Sequence, residues 1–145
     1  MDFSLKLPSS YREWREYFLF RYKVLRKPIG LSRNTTRDNL EKTSFHVMAI
    51  NKKNEIIGVG RLHFVSSNKS QIRYMAVDKD HRGMGLGSAI VKKLEAEAKI
   101  LGATYVMLNA RENAINFYKS HGYDEIAPYN SNIDVPHTRM EKRLI

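Results

Sequence analysis

Three glycines at alternate positions, in Arg82-Gly83-Met84-Gly85-Leu86-Gly87-Ser88, follow a run rich in Ile, Tyr and Val and precede an amphipathic one. Glycine admits positive φ and leaves bare main chain against which a ligand can press. The first amides of a helix point outward without partners, and the positive end of the helix dipole lies behind them. Strand, glycine turn and helix in that order describe a cradle for phosphate or pyrophosphate. The structural alternative is a tight strand-to-helix turn, for which one glycine would suffice. Two nucleotide readings fail on context. A Walker loop needs Gly-Lys-Ser/Thr, but Gly87 is followed by Ser88 and Ala89. A dinucleotide fold wants an acid about 20 residues on, at the end of the next strand, to hold the ribose. That strand ends here in Asn109, and Glu95 and Glu97 lie inside the helix.

The elements that must position this turn are legible from period and punctuation. Ser10-Tyr11-Arg12-Glu13 is a capping box, and Trp14, Phe18, Tyr22 and Leu25 continue one helical face until Pro28 and Gly30 stop it. A short second helix is expected over 33–42. Phe45–Asn51 and Ile56–Phe64 read as strands joined by a turn at 51–54, and a second turn at 66–69 leads into Gln71–Val77. A leading strand over Phe3–Leu7 is compatible with the pattern. In Gln71–Val77, strict alternation puts Gln71, Arg73 and Met75 on one face and Ile72, Tyr74 and Ala76 on the other. After the glycines, Ile90, Leu94, Ala98 and Leu101 share a helical face closed by Gly102. Thr104–Asn109 is a strand, Glu112–His121 a helix closed by Gly122, and the tail offers two short strands, from Tyr123 onward and over His137–Leu144. The expectation is one α/β (α+β) domain over 1–145: a mixed sheet beginning as an antiparallel meander, with helices on its faces.

Length and composition fit one globular domain: 145 residues, 42% hydrophobic and 28% charged. No cysteine is present, which excludes disulfide scaffolds, thiolate zinc sites and cysteine nucleophiles and suits a reducing compartment. No apolar run approaches the roughly 18 residues a membrane span needs. The N-terminus does not read as a signal peptide, so a cytoplasmic protein is the expectation. The net charge is +10 and the excess is spread over residues 1–122, while 123–145 carry Asp124, Glu125, Asp134 and Glu141 against three basic residues. Such a surface suits nucleic acid, anionic membrane or phosphorylated small ligands, or serves solubility alone. No Lys/Arg run exceeds two residues, and neither a basic recognition helix nor exposed stacking aromatics are evident. The acidic tail could draw a cationic amine toward a cleft.

With Arg82-x-x-Gly85-x-Gly87 at a strand-to-helix junction and Asn109-Ala110-Arg111…Ala114…Tyr118…Gly122-Tyr123 after it, the chain resembles the GNAT superfamily of N-acetyltransferases over about 10–145. Arg21…Val24-Leu25-Arg26-x-Pro28 and Val135-Pro136-His137…Met140 resemble its ElaA-like branch with lower specificity.

The resemblance implies a GNAT-like sheet splayed at the glycine turn, acetyl-CoA as co-substrate with no metal, and transfer of the acetyl group to a primary amine by direct attack. It implies that the amides of Arg82, Gly83, Met84, Gly85, Leu86, Gly87 and Ser88 hold the pyrophosphate, and that Met75, Ala76 and Val77 pair their backbone with the pantetheine arm. Pantetheine amides need such partners, and strand addition supplies them. Arg82 and Lys79 are candidate electrostatic helpers. Tyr118 matches the family's proton donor to the leaving thiolate, and it also contacts the cofactor there. An alkylammonium with a pKa of about 10.4 must lose its proton. Several relatives carry a glutamate on the strand before the glycines, and this chain has none. His63 and His137 are candidates by their neutral-range titration, beside a water chain. Relatives often carry asparagine where Arg111 stands. Asn109 is expected to make that polar contact to the cofactor, or Arg111 reaches a phosphate or an acidic substrate. The expected partners are coenzyme A and a small amine or peptide acceptor, without membrane or specific nucleic acid, and a homodimer is left open. The competing readings are a non-catalytic coenzyme A-sensing module of the same fold and a basic nucleic-acid-binding protein.

Overall fold

The computed structural model describes residues 2–131 and 133–145. Seven strands form one mixed sheet: β1 (Phe3–Lys6), β2 (Phe45–Asn51), β3 (Ile56–Phe64), β4 (Lys69–Val77), β5 (Tyr105–Arg111), β6 (Asp124–Tyr129) and β7 (His137–Arg143). Their order is β1-β2-β3-β4-β5-β7-β6, and only β4 and β5 run parallel. The crossover between those two is α2 (Leu86–Ile100).

Each face of the sheet has its helix. On one, α2 buries Ile90, Val91, Leu94 and Ala98 against Val47, Leu62, Ile72, Val106 and Met140, and α3 (Ile115–Ser120) adds Tyr118. Gly60 permits this contact, since a Cβ there would lie 2.8 Å from Ile90 Cγ2. On the other face lies α1 (Tyr11–Arg21), which sets Tyr17, Trp14 and Phe18 on Met48, Val59 and Ala76. Its capping box is present: the Ser10 hydroxyl accepts from the Glu13 amide at 3.0 Å, and the Glu13 carboxylate accepts from Ser10. The helical path continues past Arg21 as a π turn over Tyr22–Arg26 and ends at Gly30, whose φ is +73°.

Three expectations are corrected. The segment 33–42 is not a helix but holds two 3₁₀ turns, Arg33–Thr36 and Glu41–Thr43. Its Thr and Asp side chains bond nearby backbone, for example Thr36 Oγ1 to the Arg33 carbonyl and Asp38 Oδ1 to the Leu40 amide, which competes with a helical ladder. The helix expected from Glu112 begins at Ile115 after a 3₁₀ turn. The alternation along β4 is broken. Between Val59/Ala76 and Arg61/Arg73 the ladder carries a bulge, and Tyr74 sits there at φ +53°. One extra residue reverses the side-chain faces beyond it. Gln71 and Arg73 share the α1 face with Tyr74 and Ala76, while Met75 turns to the α2 face, 3.7 Å from a Cβ placed on Gly87.

Candidate active site

The sheet opens beside that bulge. β4 and β5 pair only at Lys69/Tyr105, Ser70/Val106 and Gln71/Met107, although both strands run on to Val77 and Arg111. Through the resulting gap passes a cavity of about 750 Å³. The expected site residues line it: Met75, Ala76 and Val77 on β4, Asn109 on β5, Tyr118 on α3, and the turn from Arg82 to Ser88 apart from Met84. Met84 is 54% exposed and its side chain turns away, so the turn can use only its amide. Lys79 is exposed and does not line the cavity.

The glycine turn has the conformation that its composition requires. Gly83 and Gly85 both stand at φ +79°, and a Cβ at either would meet nothing within 4 Å. Gly85 is the N-cap of α2, and no side chain caps that helix. The first-turn amides are left without protein partners, beside open space. Ser88 spends its hydroxyl on His121, with Oγ 2.9 Å from Nε2.

Tyr118 is 8% exposed, and its hydroxyl donates to the Met75 sulfur at 3.4 Å. Burial pushes the phenol well above its ordinary pKa, so it holds its proton across the neutral range. Asn109 borders the cavity across the gap, and its side-chain oxygen is buried beneath the lining with no hydrogen-bond partner among the described residues.

The two histidines differ in tautomer. His63 Nδ1 lies 3.0 Å from Arg61 Nη2 and must accept from it, so the neutral ring carries its proton on Nε2. Burial, reinforced by Arg61, pushes its pKa down to about 4. His137 is the reverse. Its Nδ1 donates to the Val135 carbonyl at 2.9 Å, which leaves Nε2 as a lone pair. Burial lowers its pKa against the pull of that hydrogen bond, and Arg111 and Arg26 lower it further.

Beneath the α1 side of the cavity runs an ion-pair network that the sequence did not signal. Arg61, fully buried, grips Asp38 at 2.6 and 3.0 Å and Glu41 at 2.9 Å. Arg21 pairs with Glu41 at 3.1 Å and Arg73 with Asp38 at 2.8 Å. Burial works against the Asp38 charge, but Arg61 and Arg73 outweigh it and hold the carboxyl well below the usual range. The bulged Tyr74 ring lies 4.3 to 5.7 Å from four guanidiniums, those of Arg21, Arg73, Arg61 and Arg26. The acidic tail takes no part. None of Asp124, Glu125, Asp134 and Glu141 lines the cavity, and Glu125 and Glu141 pair with Lys119, Lys69 and Arg139. That corrects the expectation of an acidic lure at the cleft.

Residues 7–123 match the acetyltransferase (GNAT) family. The chain belongs to that family. It is 30% identical over 129 residues to the uncharacterized N-acetyltransferase YjcF of Bacillus subtilis (strain 168), covering 88% of this chain and 91% of that one. Two solved structures share the fold: Escherichia coli ElaA (TM-score 0.80, 18% identity, 97% and 98% covered) and an aminoglycoside 6'-N-acetyltransferase complexed with coenzyme A (TM-score 0.80, 15% identity, 100% and 98% covered). Family membership makes this GNAT chain an N-acyltransferase with a coenzyme A-type cosubstrate. Among the described residues no cluster of metal-binding side chains occurs, and no helix is long and apolar enough to cross a membrane.

Proposed function

We propose that the protein transfers the acetyl group of acetyl-CoA to a primary amine by direct attack, within the splay between β4 and β5. One observation carries this reading: a single cavity joins the uncapped amides of α2 to the Tyr118 hydroxyl. The amides from Gly83 to Ser88, with Arg82 beside them, supply partners for a diphosphate. Beyond Gln71, β4 has no ladder with β5, and an extended amide-bearing arm would pair there as an added strand. Asn109 borders the cavity beside that unpaired stretch, where its side chain can meet such an arm.

Tyr118 is suited to act as the general acid. Its present partner is a thioether, a weak acceptor that a thiolate would readily replace. His137 is suited to act as the base through Nε2, whereas the Nε2–H of His63 can only donate. The protons balance. His137 takes one from the ammonium before attack. As the amine nitrogen forms its bond to the carbonyl carbon, the C–S bond breaks and Tyr118 protonates the departing sulfur. The proton shed by the new amide nitrogen restores the phenol.

The first test is thermal unfolding with acetyl-CoA against NAD and ATP at low and high salt. Near 100 Kd the ligand stabilises by about 2.7 kcal/mol, roughly 5–10 °C here. A salt-resistant shift specific to acetyl-CoA supports the assignment; equal shifts with every nucleotide that vanish in salt would overturn it. Turnover is read as free thiol, to which a chain without cysteine contributes no background. Tyr118→Phe should cut kcat by about 10²–10⁴ and leave the acetyl-CoA shift in place. An unchanged kcat would remove Tyr118 as the acid and favour a water in its stead.

A further inference from the structure

The arginines on the α1 face divide into two groups. Arg21, Arg61 and Arg73 each hold a carboxylate of Asp38 or Glu41. Arg26 and Arg111 do not. Among the described residues neither has an acidic partner, and no Asp or Glu lines the cavity they border. Both instead reach one main-chain atom. Arg111 Nη2 donates to the Leu25 carbonyl at 2.7 Å and Arg26 Nη1 donates to the same oxygen at 3.3 Å, while Arg26 Nε takes the Thr35 carbonyl at 3.2 Å. Two guanidiniums thus converge on a single oxygen, and Arg26 is only 6% exposed. Burying like charges together without a counter-charge is costly, and proteins avoid it except where something else supplies the charge.

The position of the pair says what that something is. Arg26 leaves the π turn after α1 and Arg111 ends β5, so the pair closes the cavity from the face opposite α2 and its glycine turn. The diphosphate cradle lies on the α2 face with its own cation, Arg82. Between the two ends stand Tyr118 and the splay. His137, opposite Arg111 in the β5–β7 ladder, brings its free Nε2 to the same end, and both arginines act on its titration.

Resting on the acetyltransferase reading above, we propose that Arg26 and Arg111 form a carboxylate-binding site and that the acceptor is a small amine carrying a carboxylate, an amino acid or its close analogue. A guanidinium presents donors in a planar fork that matches a carboxylate. A polyamine or other polycation would add charge to a pocket that already lacks acids. The cavity of about 750 Å³ must also hold the reacting end of the pantetheine arm, so the acceptor is small.

The test uses matched acceptors. Phenylalanine, phenylalaninamide and phenethylamine, and the equivalent series from other amino acids, are assayed with acetyl-CoA beside spermidine. The free acid should exceed its amide and its decarboxylated amine on the order of a hundredfold in kcat/KM, the scale for losing one partner of a buried charge pair. Arg111→Gln should raise KM for the acids and leave KM for the decarboxylated amines nearly unchanged, and Arg111→Lys should recover part of the loss. A fold defect would move both series together. Where no acceptor turns over, binding decides: N-acetylphenylalanine should raise the melting temperature of the coenzyme A-bound protein more than N-acetylphenylalaninamide does. Amides, amines or spermidine matching the acids, or equal stabilisation by the two acetylated compounds, would overturn the carboxylate site while the acetyl-CoA shift leaves the enzyme reading intact. Loss of that shift would sink the enzyme reading itself.

Discussion

On the α2 face of the sheet, the turn from Arg82 to Ser88 stands beside the apolar core of Ile90, Val91 and Leu94, with a Glu95–Lys142 pair toward the far end of the helix. On the α1 face, the other end of the same cavity stands on Arg21, Arg61, Arg73, Asp38 and Glu41. The first end is built of main chain apart from Arg82, so its support needs only to be rigid and space-filling. The second is built of guanidiniums and imidazole, and side chains with long, rotatable stems must be fixed by partners. A site whose ligand contacts are backbone can rest on any well-packed core. A site whose contacts are charges needs a charged scaffold, with the sensitivity to pH and to single truncations that such a scaffold brings.

The largest expected difference lies in how the two supports fail. Leu94→Ala on the α2 face should cost about 2–5 kcal/mol through the cavity it leaves. Asp38→Ala should cost about 3–5 kcal/mol, because Arg61 keeps only Glu41 and Arg73 loses its carboxylate. The pH dependence separates the two. The Asp38 carboxyl titrates well below its unfolded value, so its stabilisation is complete above about pH 4 and fades as pH falls beneath that. In urea titrations the gap between wild type and Asp38→Ala should close in acid, and the gap for Leu94→Ala should persist. Two parallel curves would mean that Asp38 acts by packing and that the faces do not differ in kind.

His63 gives a smaller signature in a higher pH window on the same charged face. With a folded pKa of about 4 against an ordinary 6.5, the native state refuses a proton that the unfolded chain accepts. Stability is therefore unaffected by this group above about pH 6.5 and is lost between there and pH 4, by up to about 3 kcal/mol. His63→Gln should flatten that stretch of the stability curve while changing little at pH 7.5. A curve as steep as the wild type's would assign the acid loss to the other histidines with lowered pKa, His46, His121 and His137.

The contrast between the faces also explains what could be read from the chain. Three glycines in five residues announce the main-chain end, because positive φ and uncapped amides are local properties. The meander, the crossover helix and the capped first helix were legible for the same reason. The charged end is assembled from the turn after α1, the segment before β2, and strands β3, β4, β5 and β7: Arg111 stands out only as a departure from the family pattern, and nothing local in Asp38 or Glu41 distinguishes a buried counter-ion from a solvated charge. The segment 33–42, expected as a helix, is held instead by tertiary ion pairs, since Asp38 and Glu41 are the counter-ions of buried arginines. The bulge at Tyr74 was invisible as well: it follows from the ladder with β3, and it turns Met75 toward Tyr118. The acidic tail misled in the other direction, since its charges lie in one stretch of sequence and are spread over the surface in space.

The smallest effects bear on the main-chain end alone. Gly85→Ala places a Cβ in open space but at φ +79°, so its cost is the left-handed strain of about 1–2 kcal/mol and whatever shift of the turn relieves it. Any such shift moves the α2 amides, and acetyl-CoA should bind more weakly by isothermal titration. Met84→Ala changes a half-exposed side chain next door while leaving its amide in place. Stability should stay within about 0.5 kcal/mol and acetyl-CoA affinity should not move. If this end is made of backbone, the two neighbours must behave differently for conformational reasons only. A loss of affinity in Met84→Ala matching that in Gly85→Ala would show that side chains of the turn other than Arg82 also hold the diphosphate, and the division between the two faces would then no longer stand.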